Sequence, residues 1–196
     1  MLAQRTHFYG HRRVSMKKLV VILGAAAFLI LVGSVSGVAN AVGDKLLLYV
    51  RVARLYTKEP PAKIAMPLAG ISRKQIANTW HAPRGSSRLH EGQDIFAARG
   101  TQVYSATPGY VFNIGENRLG GQTVSVIGAG GRVYYYAHLD AYADGLEEGD
   151  YVTPQTVLGS VGTTGNAQGT PPHLHFGVYT TSGAINPLPL LADRTL

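Results

Sequence analysis

The chain changes its hydrophobic rhythm three times, and each change predicts a different element. Leu19 to Val42 runs for 24 positions without a charged residue, long enough for a helix to cross a hydrocarbon core of roughly 30 Å. From Lys45 to Lys58, Arg51, Arg54 and Lys58 share one helical face while Leu48, Val52, Leu55 and Tyr56 cover much of the rest. That period predicts a helix that lies along the outer membrane boundary, extends the spanning helix, or stands as a solvated stalk. Glu59-Pro60-Pro61 ends it and opens a short linker, since proline cannot continue a helix. From Ile64 onward, short runs of Val, Ile, Tyr and Thr are divided by Thr107-Pro-Gly, Leu119-Gly-Gly, Gly128-Ala-Gly-Gly, Glu148-Gly-Asp and Gly162-Thr-Thr-Gly. These predict strands joined by turns, with Ile71 to Asn78 as the one helical turn. No repeat of solenoid length is present. The fold class is mostly β, an antiparallel sheet folded over itself behind an N-terminal transmembrane helix.

Charge sharpens the division. Residues 1–61 carry nine Lys and Arg against two acids, which gives the whole net charge of +7, whereas residues 62–196 carry nine of each. The basic excess lies outside the β region, so no nucleic-acid partner is expected there. Arg5, Arg12, Arg13, Lys17 and Lys18 precede the apolar run without an acid. Positive flanks stay in the cytoplasm, which puts the carboxyl-terminal part outside. A cleaved signal peptide is the alternative, with Leu19 to Val32 as its apolar core and Ala39-Asn40-Ala41 as its cleavage signal. Both readings export the β domain. The expected organisation is a basic tail over 1–18, an anchor or signal peptide over 19–42, a helical stalk and linker over 43–61, and the functional domain over 62–196.

The chemistry lies in three short motifs: His90-Glu-Gly-Gln-Asp94, His138, and His173-Leu-His175. A structural zinc closes four protein ligands, usually thiolates, while a catalytic zinc keeps three and leaves a position for water. The chain has no cysteine, so a closed thiolate site is excluded and a two-histidine, one-carboxylate site remains. On a strand His173 and His175 face the same way, about 7 Å apart, which suits one ligand and one neighbour. His90 and Asp94 are too distant to share a metal on a straight strand, and Gly92 between them permits a bend. His138 ends a run in which Tyr134, Tyr136 and His138 are expected to share a face.

These residues resemble the lysostaphin/LytM-type zinc endopeptidases, metallopeptidase family twenty-three, which cut peptide cross-bridges of bacterial peptidoglycan. The family pattern of His-x-Gly-x-Asp, Tyr-x-His-Leu and His-Leu-His-Phe is matched by His90-Glu-Gly-Gln-Asp94, Tyr136-Ala-His-Leu139 and His173-Leu-His-Phe176. Further family-like stretches are Asp94-Ile-Phe-Ala, Arg99-Gly-Thr-Gln-Val, Ala106-Thr-Pro-Gly-Tyr-Val and Val161-Gly-Thr-Thr-Gly. The resemblance runs from about Trp80 to Pro187. It implies a compact, twisted antiparallel β domain of the duplicated-hybrid-motif kind, with a groove across its sheet. It implies one zinc bound by His90, Asp94 and His175, with His138 and His173 assisting catalysis. The implied substrate is the stem or bridge peptides of peptidoglycan, met in the bacterial cell envelope by a domain anchored to the membrane or secreted. A non-catalytic module that binds peptidoglycan or activates a cell-wall amidase is the rival reading. Such family members have lost metal ligands, and this chain keeps them all. Gln93 stands where the family usually has an aliphatic residue, a change expected to alter packing and remove no ligand.

Other features have plainer readings. Gly162-Thr-Thr-Gly-Asn-Ala-Gln-Gly169 lacks the Gly-Lys-Ser/Thr ending of a phosphate loop and reads as a groove wall or a turn. Tyr134, Tyr135 and Tyr136 read as strand packing, with one ring available to substrate. Glu91 points away from the site on an extended segment, and His81 reads as solvated.

Overall fold

The computed structural model describes residues 36–85 and 88–194. The basic tail over 1–18 and most of the expected span over 19–42 lie outside the described residues. Among the described residues no helix is long and apolar enough to cross a membrane. Helix α1 spans Ser36–Tyr56, and from Leu48 onward the chain forms one compact unit. In that unit Val52 and Leu55 are buried against Ile127, with Leu48, Tyr110 and Val133 packed around them. Arg51 lies over the Tyr110 ring, 5.8 Å from its centroid. The stretch expected as a stalk or an interfacial helix therefore buries its apolar stripe on the protein's own sheet, where that stripe gains a matching surface.

The strands are short and numerous, as the turn signals require. They are β1 (Ile64–Ala65), β2 (Pro83–Arg84), β3 (Arg88–Leu89), β4 (Gln93–Phe96), β5 (Gln102–Tyr104), β6 (Gly109–Asn117) and β7 (Gly121–Gly128). They continue as β8 (Val133–Tyr142), β9 (Tyr151–Val152), β10 (Val157–Val161), β11 (His173–Thr180), β12 (Gly183–Ile185) and β13 (Leu191–Ala192). One sheet takes β4 to β12, following the order β12-β11-β8-β7-β6-β9, with β4 on β11, β10 on β8 and β5 on β10. Its pairings are antiparallel. A small parallel pair, β1 with β13, ties the start of the domain to its end. The expected helical turn is a single 3-10 turn over Arg73–Gln75, closed by a capping box between Ser72 and Gln75.

Alternation sorts the faces. Leu174, Phe176 and Val178 of β11, Tyr134 and Tyr136 of β8, and Val124 and Val126 of β7 are fully buried in the main core. The Tyr136 hydroxyl accepts the Ala106 amide at 2.8 Å, so its polar end is satisfied inside. The other face carries His173 and His175 on β11 and Val133 and Tyr135 on β8. Helix α1 covers the Val133 end of that face.

One register shift corrects the expected face of His138. From Tyr136 to Leu139 β8 takes three steps while its partner β7 takes two, from Val124 to Gln122. The extra residue is a β-bulge, which re-aims a side chain. His138 sits in it with φ of 64°, while Tyr134, Tyr136 and Leu139 all stay in the core. His138 thus leaves the tyrosine face and joins the histidines of β11.

Candidate metal centre and active site

His90 lies between β3 and β4, Asp94 on β4 and His175 on β11, where Asp94 and His175 are direct cross-strand partners. Three of their atoms form a triangle. His90 Nε2 is 2.8 Å from His175 Nδ1 and 3.1 Å from Asp94 Oδ1, and His175 Nδ1 is 3.1 Å from the same oxygen. Ligands about 2.1 Å from a tetrahedral zinc stand roughly 3.4 Å apart, so the edges are close to one face of such a tetrahedron. Two nitrogens and one carboxylate oxygen are also a donor set that zinc accepts.

Gly92 permits this convergence for a reason other than backbone freedom. A Cβ there would meet His175 Cε1 at 2.5 Å, His175 Nε2 at 2.7 Å and the Phe176 carbonyl oxygen at 2.9 Å. The segment before β4 passes so close to β11 that only a hydrogen fits.

His138 and His173 complete the cluster. Their ring centroids are 5.0 Å apart, the His138 ring is 5.8 Å from that of His175, and His173 Nε2 is 3.9 Å from Asp94 Oδ1. Each has Nδ1 against a main-chain carbonyl, Thr164 at 2.9 Å for His138 and Pro171 at 2.8 Å for His173. His90 Nδ1 meets the Thr79 carbonyl at 2.7 Å in the same way. A carbonyl only accepts, so in all three rings Nδ1 carries the proton and Nε2 keeps its lone pair for the centre.

Burial alone would raise the Asp94 carboxyl, but its close contacts with the His175 and His90 rings outweigh it and hold the group well below the usual carboxylate range. Burial lowers His175. Burial, helped by His175 and His173, pushes His138 down to about 4. Burial thus favours the neutral form of His138 and His175 beside the Asp94 carboxylate.

Several partners carry no sequence signal. The Thr79, Thr164 and Pro171 carbonyls act through main chain, which any residue would supply. Arg84 on β2 is ion-paired with Asp94 Oδ2, which leaves Oδ1 for the triangle. The Gly162–Gly169 loop does more than turn. Thr164 Oγ1 donates to the Leu139 carbonyl at 2.8 Å and accepts the Gln122 amide at 2.9 Å. Gly165 and Gln168 line an open surface depression together with Glu116, Asn117 and Arg118. Asn117 donates to the Tyr135 hydroxyl at 3.2 Å, and the Tyr135 ring stands edge-on to His175 at 6.2 Å. Of the three tyrosines, Tyr135 is the one beside the site. Exposed His81 stacks on Trp80 at 4.4 Å, and only its main chain meets the site, its amide donating to the His90 carbonyl at 2.9 Å.

A His-Asp-His triangle flanked by two further imidazoles, on an antiparallel sheet, defines a centre of metallopeptidase type. The chain belongs to peptidase family M23, whose profile matches residues 88–187. It is 36% identical over 142 residues to the L-Ala–D-Glu endopeptidase of Bacillus subtilis, covering 69% of this chain and 44% of that protein. The chain spans less than half the length of the curated relatives it matches. Among solved structures it is similar to the catalytic domain of lysostaphin from Staphylococcus simulans, with a TM-score of 0.53 and 29% identity. That likeness covers 60% of this chain and 92% of the other. It is also similar to a zinc-containing peptidase from Vibrio cholerae, with a TM-score of 0.51 and 25% identity over 58% of this chain and 36% of that one.

Proposed function

We propose that this chain is a zinc endopeptidase that hydrolyses peptide bonds in the stem or bridge peptides of bacterial peptidoglycan. The observation that carries the reading is the triangle of His90 Nε2, Asp94 Oδ1 and His175 Nδ1, with edges of 2.8 to 3.1 Å. Similarity to a zinc-containing peptidase and to an L-Ala–D-Glu endopeptidase supports the choice of metal and substrate.

In this reading His90, Asp94 and His175 hold the metal, and Arg84 keeps Asp94 bound through one oxygen. A zinc there supplies Lewis acidity to the scissile carbonyl and brings the pKa of water towards about 7. His138 and His173 do the proton work. Both present an Nε2 lone pair, and both are kept in orientation by a carbonyl behind the ring. One accepts the proton of the attacking water at Nε2 and returns it to the leaving amine, while the other, when protonated at Nε2, donates to the oxyanion. Tyr135 and the depression along Asn117 and Gln168 receive the peptide on one side of the cluster. The basic, acid-free flank before Leu19 supports a location for this work on the outer side of the membrane.

The test is to incubate the purified chain with peptidoglycan, with and without a chelator, and to analyse the released fragments by mass. New termini at a peptide bond, lost on chelation and restored by zinc, are expected. Release of none, with zinc bound, would leave a binding module instead of an enzyme.

A further inference from the structure

Gln93 points to the core side of β4, the side of the buried Ile95 and opposite the site-facing Asp94, and is itself fully buried. An amide in such a place is costly unless its hydrogen-bonding groups are met. Here they are met by one small network. Gln93 Oε1 accepts the Thr79 amide at 3.0 Å and the Thr79 hydroxyl at 3.1 Å. Gln93 Nε2 donates to Asn78 Oδ1 at 2.7 Å and Asn186 Oδ1 at 3.4 Å. Those two oxygens also accept the Trp80 and Leu188 amides. Main-chain N–H groups only donate, so every oxygen and nitrogen in the network has one assignment.

Thr79 is the reason the network matters. Its carbonyl accepts His90 Nδ1–H at 2.7 Å, and its hydroxyl accepts the Asp94 amide at 2.9 Å. One residue thus touches two corners of the triangle, and Gln93 grips that residue twice. With its proton directed to Gln93 Oε1, the Thr79 hydroxyl turns a lone pair to Asp94. We propose that Gln93 is a positioning residue for the metal centre, acting through Thr79 on both His90 and Asp94. This rests on the zinc-site reading above. An aliphatic side chain would take away the partner of the half-buried Thr79 amide and hydroxyl proton and one donor to Asn78 Oδ1. Residues 78–80 would then shift to find other partners and carry the His90 ring with them. The expected effect is the 10- to 100-fold loss of metal affinity that outer partners of ligating histidines typically control.

The experiment uses the full 196-residue chain. Zinc affinity is measured by competition with a chromophoric chelator, and the cobalt-substituted protein gives a visible spectrum that reports ligand geometry. Gln93→Leu and Thr79→Val are each expected to weaken zinc binding about 10- to 100-fold and to shift the cobalt bands. Their combination should be much less than the product of the two, because they break one chain of contacts. Thr79→Ser, which keeps the hydroxyl, should restore affinity. Val126→Ala, in the core on β7, serves as a control that lowers Tm without touching the network, and it should bind zinc as the parent does. If Gln93→Leu does not fold, Thr79→Val and Thr79→Ser decide the matter by the same criteria. Parental affinity and an unchanged cobalt spectrum in Gln93→Leu or, failing that, in Thr79→Val, with binding abolished in Asp94→Ala, would overturn the inference and keep the zinc site. Equal weakening in Val126→Ala would reduce the effect to general loosening and overturn it too. A parent chain that binds no zinc would overturn both the inference and the site.

Discussion

Strands β8 and β11 lie side by side and both deliver histidine to the same cluster, yet they do so by opposite means. On β11 the delivery is plain alternation: His173 and His175 face the site while Leu174, Phe176 and Val178 fill the core. On β8 alternation would have buried His138 beside Tyr134 and Tyr136. The bulge against β7 and a φ of 64° turn it out. Regular strand geometry fixes a ligand cheaply and rigidly. An irregular position can aim a group where no strand position points, at the expense of local strain. In the proposed enzyme the regular strand carries a metal ligand and one acid–base group, and the bulge carries the other acid–base group.

The largest expected effects separate the metal ligands from the acid–base groups. Replacing His175 with alanine removes a corner of the triangle, so bound zinc and turnover should both be lost, as they should for His90→Ala and Asp94→Ala. Any of these variants holding zinc against a competing chelator would strike that residue from the ligand set. Replacing His138 or His173 with alanine leaves all three corners in place. Zinc should stay bound, and kcat should fall by about 10² to 10⁴. Metal analysis beside steady-state kinetics reads the difference. Zinc loss in His138→Ala would make the bulge a metal-binding device after all.

The contrast also explains what could be read from the sequence. His173-Leu-His175 is legible because a period of two needs no knowledge of the fold. The convergence of His90 with Asp94 was legible as a bend at Gly92, though the physical reason is a close crossing under His175. The face of His138 was not legible, since nothing in Tyr134-Tyr-Tyr-Ala-His138 announces an extra residue against β7. Gln93 read as a packing change because its partners, Asn78, Thr79 and Asn186, come from two distant segments. The amphipathic stripe of α1 showed an apolar face and could not show that Ile127 and Val133 would cover it.

A smaller effect tests how the bulge is held. Gly121, at the start of β7, has φ of 62°, and its Cβ would collide with Thr164 and Gly165. That crossing presses the Thr164 loop against β8, where the Thr164 carbonyl fixes His138 Nδ1. Gly121→Ala should cost about 1 to 3 kcal/mol of stability through overpacking and a left-handed backbone. It should also lower kcat more than zinc content. A variant that unfolds at a lower denaturant midpoint yet turns over as the parent does would show that His138 is positioned without this loop.

The smallest effect has the most pointed sign. In an ordinary strand interior, glycine is less stable than alanine by roughly 0.5 to 1 kcal/mol, because it loses more backbone freedom on folding. At a left-handed position the order reverses, since the alanine Cβ crowds the following carbonyl oxygen while glycine has none. His138 has φ of 64°, so His138→Gly should be more stable than His138→Ala by about 1 kcal/mol. For a chain of this size that is a difference in Tm of roughly 2 to 4 °C. Both variants lack the imidazole and the hydrogen bond to Thr164, so those losses cancel in the comparison and the backbone term remains. Thermal unfolding of the two zinc-loaded proteins measures it directly. If alanine proved the more stable of the pair, β8 would run as a regular strand through position 138, and the bulge could not be what turns this histidine towards the site.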